Sequence, residues 1–499
     1  METLRKLLLP GMAVLLIATG SQLAAAERPT DDTIRFWIKD ALSEDPYLDA
    51  SCVEVQVNDG LVTLSGTVRS IAAQKYADIE TKKIAGVLGV VNQVSVVPVH
   101  RWDADIVRDV RHRIIDSAAI EAQDIKVICQ DGTVELAGVV RSWSEREEAG
   151  LLASEVLGVK RVQNYLTVEW EAERPDAAIK KDAVAALHRD AYLVDMPISV
   201  SVKDGVITLS GTIGSVYQKT LAYDDIRWIE NVKEVKNNLK VEWWENKGTR
   251  TDTLFPTDAE LGNAVSMELF SDSRLTPMNL EVTVQHGHAT LRGTVANNYQ
   301  KQIASADARD VVGVTWVTNH LTPRTDRRDD VRIRDDILSN FATDEALWNQ
   351  PIAVTVKNAV VTLSGQVERG YDKPHAKMLA SRVRGVTEIV DNITVNWAQE
   401  RDDAAVFKRI VDRLKSDWLL GPNHQQFKVQ VQDGVATLTG TVNNWGQRSE
   451  IEDVVLRTHG VRAVDNRLHV KGYAYPLEDW RDANSRHVMY PHEIDPYGL

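Results

Sequence analysis

Five times along this chain an aromatic residue stands two or three positions ahead of a cation: Trp143 with Arg146, Tyr217 with Lys219, Tyr299 with Lys301, Tyr371 with Lys373, and Trp445 with Arg448. An amphipathic ring suits a lipid–water boundary, and a cation beside it can meet a phosphate, so the chemistry these pairs suggest is binding to a phospholipid surface. The other reading open at this stage is that each ring packs on its own hairpin while the Lys or Arg is solvated. Residues for bond-breaking chemistry are not arranged in any recognisable pattern. There is no G-x-S-x-G, no H-E-x-x-H and no phosphate-binding G-x-x-x-x-G-K-[ST]. His286 with His288 and His487 with His492 lack further ligands at metal spacing, so no metal, no cofactor and no enzyme activity is expected.

The pairs recur because the elements around them recur. Each follows a glycine by five or six residues, and these glycines, Gly66, Gly138, Gly211, Gly293, Gly365 and Gly440, step by 72, 73, 82, 72 and 75 residues. Repeat one has Ile71 and Gln74 where the others have ring and cation, with Lys75 one further. A fixed period of this length marks an array of one module. Each closing glycine ends a strand–turn–strand segment such as VEVQVNDGLVTLSGTV, from Val53 to Val68. The turn glycines Gly60, Gly132, Gly205, Gly287 and Gly434 supply the positive φ of a tight hairpin. Repeat five has Asn358-Ala359 instead, where alanine accepts positive φ poorly, so a different or strained turn is expected.

Before each hairpin, apolar residues four apart predict a helix: Ile34, Ile38 and Leu42 in the first copy, Val406, Ile410 and Leu414 in the sixth. Aspartates or threonines (Asp31, Asp32, Thr257, Asp329, Asp330) mark the helix starts. A second helix runs to Gly-Val or Asn-Val stops such as Gly86-Val87 and Asn231-Val232. A last strand carries an asparagine and alternating apolars: Asn164, Asn238, Asn319, Asn392 and Asn466. Trp170, Trp243 and Trp397, just past that strand, read as lids on their own modules. The fold class is therefore α+β, a tandem array of six small αββαβ modules, each a three-stranded sheet packed on two helices.

The pattern DG-x-V-x-L-x-G-x-V, a helix, then GV-x-x-V-x-N-x-L-x-V resembles the BON domain of bacterial periplasmic osmotic-stress and outer-membrane maintenance proteins. The resemblance covers 30–97, 102–170, 176–243, 257–322, 329–397 and 402–471. It implies the αββαβ fold, attachment to membrane phospholipid, and no catalysis. Known members carry mostly one to three copies, so six is a departure that leaves open how the copies share the load.

Outside the repeats, METLRK with Arg5 and Lys6, an apolar run and Ala24-Ala25-Ala26 predict a signal peptide over 1–26, cut after Ala26. The mature chain is then expected to be periplasmic, with a peripheral place on a membrane left open. Residues 244–256 read as a linker dividing the array three and three, and 472–499 as an extended tail. Cys52 and Cys129 occupy non-equivalent places, which makes no disulfide framework, though a bridge stays open. The net charge is −14, and removing Glu2, Arg5 and Lys6 takes away +1 to leave −15. That excludes nucleic acid as a natural partner. It also requires any anionic-lipid contact to rest on locally gathered cations. The expected function is a non-enzymatic, exported multi-module protein binding phospholipid or envelope surface and supporting envelope integrity or stress tolerance. The alternative is a periplasmic protein-interaction scaffold or holdase-like stress protein, with envelope proteins as partners.

Overall fold

The computed structural model describes residues 28–471 apart from 45–47, 49, 121–123, 170–173, 191, 195, 244–256, 325–327, 397–401 and 421–425. The signal peptide, the 244–256 linker, the tail, Trp170 and Trp397 lie outside the described residues. First and second helices alternate along the chain. They are α1 (Asp31–Glu44) and α2 (Ile71–Lys83), α3 (Asp103–Asp116) and α4 (Trp143–Ser154), and α5 (Asp176–Arg189) and α6 (Val216–Arg227). The second half continues with α7 (Asp258–Ser271) and α8 (Asn298–Asp310), α9 (Asp330–Ala342) and α10 (Asp372–Ser381), and α11 (Asp403–Ser416) and α12 (Trp445–Leu456).

Every sheet has the second hairpin strand at its centre, antiparallel to the first and parallel to the third. In module five Val354 faces Leu363 across the hairpin, and Leu363 faces Asp391 on the third strand. Period two sends Val354, Val361 and Leu363 to one face, where they meet the stripe of α9, Ile333, Ile337 and Phe341, in a buried core. The other five modules repeat this arrangement, each with its own core. In modules one and three the third strand is broken in two, Gly89–Asn92 with Ser95–Val96 and Glu234–Asn237 with Lys240–Val241.

The hairpin turns follow the expected backbone, Asp59 at φ 48° and Gly60 at φ 77°. Module five makes the same turn with Asn358 at φ 52° and Ala359 at φ 65°, so its departure is strain and not a new conformation. A clamp explains why the turn tolerates it. The first residue of each first helix, an aspartate in all six modules, accepts hydrogen bonds from both central turn amides. Asp330 accepts from Asn358 N at 2.8 Å and Ala359 N at 2.9 Å, and Asp31 from Asp59 N at 2.7 Å and Gly60 N at 3.0 Å. Asp103, Asp176, Asp258 and Asp403 do the same. One carboxylate thus serves a helix N-terminus and a turn some 28 residues away.

The modules do not hang as an open string. Three seams pair them: one with six, where Ala85 N donates to Ser416 O and Trp418 N to Lys83 O; two with five; and three with four. Three further contacts join the pairs. Tyr192 Oη of module three meets Asn444 of module six at 3.3 Å, Asn297 Nδ2 of module four donates to Ala118 O of module two at 2.7 Å, and the Ser70 side chain of module one bonds Glu345 of module five. Neighbours therefore run one, six, three, four, two, five and back to one, which closes a ring. Modules one to three also touch each other, Val216 packing into the core of module one and Ile71 into that of module two. Modules four to six do likewise through Trp316 against Trp445 and Arg457 over Tyr371.

Candidate functional site

Second helices enter the ring interior, and their first turn is where the aromatic–cation pairs sit. Serine or asparagine caps start most of them, Ser142 accepting from Glu145 N and Asn444 from Gln447 N. Trp143 and Trp445 fill the first helical position, while Tyr217 and Tyr299 fill the second. The helix of module five begins two residues later, so Tyr371 stands at its cap. Trp445 is buried against Trp316 of module four, and the other four rings are half-buried. Tyr217 packs on the core of module six, and the Tyr371 hydroxyl accepts from Arg457 Nη2 at 2.7 Å. Burial drives the phenols of Tyr217, Tyr299 and Tyr371 above their ordinary range.

The cations have definite partners. Arg146 donates to Leu166 O at 3.1 Å and Asn164 O at 3.0 Å, and Arg448 to Leu468 O at 3.2 Å and Asn466 O at 3.0 Å. Lys219 donates to Leu239 O at 2.8 Å and Lys373 to Ile393 O at 3.0 Å. These carbonyls lie on the third strand, so each cation ties a second helix to its sheet. In module one the neutral amide of Gln74 makes the same bond, to Val94 O. Lys301 is half-buried, and burial lowers its pKa. The Trp143 and Trp445 rings lie beneath the guanidiniums of Arg146 and Arg448, at 4.6 and 4.9 Å.

An amide on the third strand completes the tie. Asn164 Nδ2 donates to Arg146 O at 2.7 Å while its Oδ1 accepts from Leu166 N at 3.2 Å. In modules three and five the residues at this place are Asn237 and Asp391, one earlier than the asparagines Asn238 and Asn392 that the sequence pattern suggests. A break in the third strand of module three and an aspartate in module five hide the true position. Trp243, expected to lid its own module, packs on the core of module six.

Inside the ring the second helices border a chamber of about 1900 Å³, lined by Tyr217, Tyr299 and Trp445 among others. Its wall mixes apolar side chains such as Ile71, Leu221 and Ile303 with charges such as Lys75, Arg227 and Asp310. His112, Asp116 and Asp336 bring ligand atoms within 4.8 Å of one another at the seam of modules two and five. The Arg328 guanidinium already bridges Asp116 at 2.7 Å and Asp336 at 2.8 Å, filling with protein charge the place a metal cation would take. Cys52 and Cys129 are free thiols, and Cys129 donates to Asp103 at 3.3 Å. Burial, then Asp103, push the Cys129 thiol up to about 12, away from the thiolate a nucleophile needs.

The described residues form six αββαβ modules whose second helices face one another, a tandem array of one small α+β module. The family model for the BON domain matches 30–98, 103–169, 175–242, 257–324, 329–396 and 402–472, and the chain belongs to this family. It is 32% identical over 198 residues to Osmotically-inducible protein Y of Escherichia coli K12, covering 38% of this chain and 94% of that one. It is 29% identical over 159 residues to Outer membrane lipoprotein DolP of Haemophilus influenzae, covering 29% of this chain and 80% of that one. A solved structure of CdsD, a structural protein of the type III secretion system of Chlamydia trachomatis, matches at 16% identity and a TM-score of 0.13 over 42% of this chain and 92% of its own. That likeness is too slight to inform the fold. Among the described residues no helix is long and apolar enough to cross a membrane.

Proposed function

We propose that this protein is a non-enzymatic, periplasmic ring of BON modules that engages phospholipid at the cell envelope and supports envelope integrity under stress. The observation that carries the reading is the family module written six times over nearly the whole mature chain, in company with relatives named for osmotic induction and for the outer membrane. The chamber adds support, since about 1900 Å³ exceeds the roughly 300–1,000 Å³ of pockets for small ligands and suits a larger amphipathic guest. In this proposal the rings of Tyr217, Tyr299 and Trp445 meet lipid from the chamber they border, while their cations stand behind them, outside its lining.

Co-sedimentation of the mature protein with anionic and zwitterionic liposomes tests the reading. A variant with Arg146, Lys219, Lys301, Lys373 and Arg448 all changed to Gln is a fair probe, because Gln74 already ties its helix to the strand with an amide. Binding lost in that variant, with its circular dichroism unchanged, supports the pairs as the lipid site. Binding equal to the parent's removes them from the proposal. A second reading, a protein-docking scaffold, is favoured by the outward face of the module-two sheet, where Ile128, Val139 and Tyr165 are 59%, 43% and 60% exposed. No binding to any vesicle favours the scaffold.

A further inference from the structure

Acidic side chains crowd the seam between modules three and four. Asp190 closes α5 beside Arg189, and α6 brings Asp224, Asp225 and Arg227. From module four, α7 brings Glu268 and its following loop Asp272 and Arg274, while α8 brings Asp307, Arg309 and Asp310. Lys82 of module one also faces Asp224. Arg189 pairs with Glu268, Arg274 with Asp272 and Asp307, and Arg227 with Asp224. Asp225 Oδ2 and Asp307 Oδ2 are buried with no hydrogen-bond partner among the described residues. Most of these groups line the chamber.

Crossing the same seam are three backbone hydrogen bonds, Glu230 N to Ser271 O at 3.3 Å, Ser273 N to Trp228 O at 2.8 Å and Val312 N to Arg189 O at 3.1 Å. The equivalent seam of modules two and five is better balanced, with Arg113 and Arg382 on Glu155 and Arg328 on Asp116. We propose that the seam between modules three and four is a proton-operated latch, closed in mild acid and loosened as its surplus carboxylates ionise.

Desolvation first, and neighbouring carboxylates second, push Asp310 up to about 7, and desolvation takes Asp190 up to about 6. The same causes hold Asp225 and Asp307 well above the carboxylate range. The folded seam therefore binds protons more tightly than the unfolded chain. Its stability is fully present below the ordinary aspartate range near 3.8, declines as pH rises, and is lost once pH passes the folded values of about 6 to 7.

Hydrogen exchange of the full chain, corrected for the intrinsic effect of pH, reads the latch at the amides of Glu230, Ser273 and Val312. Ala118, Arg384 and Leu157, which donate across the seam of modules two and five, are the internal control. Between pH 5.5 and 8 protection at the first set should fall at least tenfold, a change that one pK unit of differential protonation supplies, while the control set changes much less. The variant D225N/D310N should keep its protection at pH 8, and D310N alone serves if the double variant misfolds. Equal protection at both pH values, a parallel loss at the control seam, or an undiminished fall in the variants would overturn the proposal.

Discussion

Replacing Gly365 by alanine tests how strictly the module dictates its closing glycine. Gly365 has φ 133°, and a Cβ built on it would stand 2.1 Å from Pro351 O and 3.1 Å from the carbon of the same carbonyl. Both neighbours are backbone at the start of the paired strand, held by the Ile352 to Gly365 register, so no side chain can swing aside. Placing a non-glycine residue in so sparsely populated a region costs about 1–3 kcal/mol. Forcing the strands apart adds about 1–3 kcal/mol. Since a module of roughly this size is only marginally stable alone, Gly365→Ala should unfold module five and break its contacts with modules one and two. Urea denaturation followed by circular dichroism, with small-angle scattering for ring size, should show an early transition and an enlarged particle. Gly262→Ala is the matched control. It lies inside α7 with Val284 Cγ2 at 3.8 Å as its nearest contact, so the same change should stabilise by about 0.8–1 kcal/mol. If Gly365→Ala melts within 1 kcal/mol of the parent, or both substitutions move stability the same way, the steric reasoning is wrong.

At the seam of modules one and six, buried Lys83 lies 2.8 Å from Glu450 and 3.6 Å from Glu80. Lys83→Met should destabilise by about 3–5 kcal/mol near neutral pH, because two buried carboxylates lose their counter-charge. Thermal melts should recover much of this on adding Glu450→Gln, and no recovery would refute the pairing. For the turn clamp, Asp176 accepts from Asp204 N and Gly205 N at 2.9 Å each. Asp176→Ala should cost about 1–2 kcal/mol, and an unchanged denaturation midpoint would show that solvent replaces both bonds without loss.

Period and alternation made the module legible from sequence. Ile34, Ile38 and Leu42 are buried as their spacing requires, and so are their counterparts in all six copies. The clamp was less visible, because an aspartate at a helix start satisfies a local rule and its turn partners lie far along the chain. Likewise Lys219 and Arg448 looked like surface cations, since the carbonyls that receive them carry no sequence signal. The ring was not legible at all. Its seams use Lys83 with Glu450, Arg382 with Glu155, and Arg189 with Glu268, pairings that differ from seam to seam and so leave no periodic trace.

The order of neighbours around the ring bears on how the chain can be made. Module one meets modules two and three early, but its contacts with modules six and five stay empty until nearly the whole polypeptide exists. Each core can form early from local contacts, but closure demands pairings of very long sequence separation, which are slow to reach. During synthesis the first modules must therefore wait with Lys83, Glu80 and the Ile84 backbone uncovered. A chain cut before module six would leave modules one and three each missing a neighbour. Truncation near the C-terminus should then behave less like the loss of a bead from a string than like the removal of a keystone, exposing surfaces at the opposite end of the sequence.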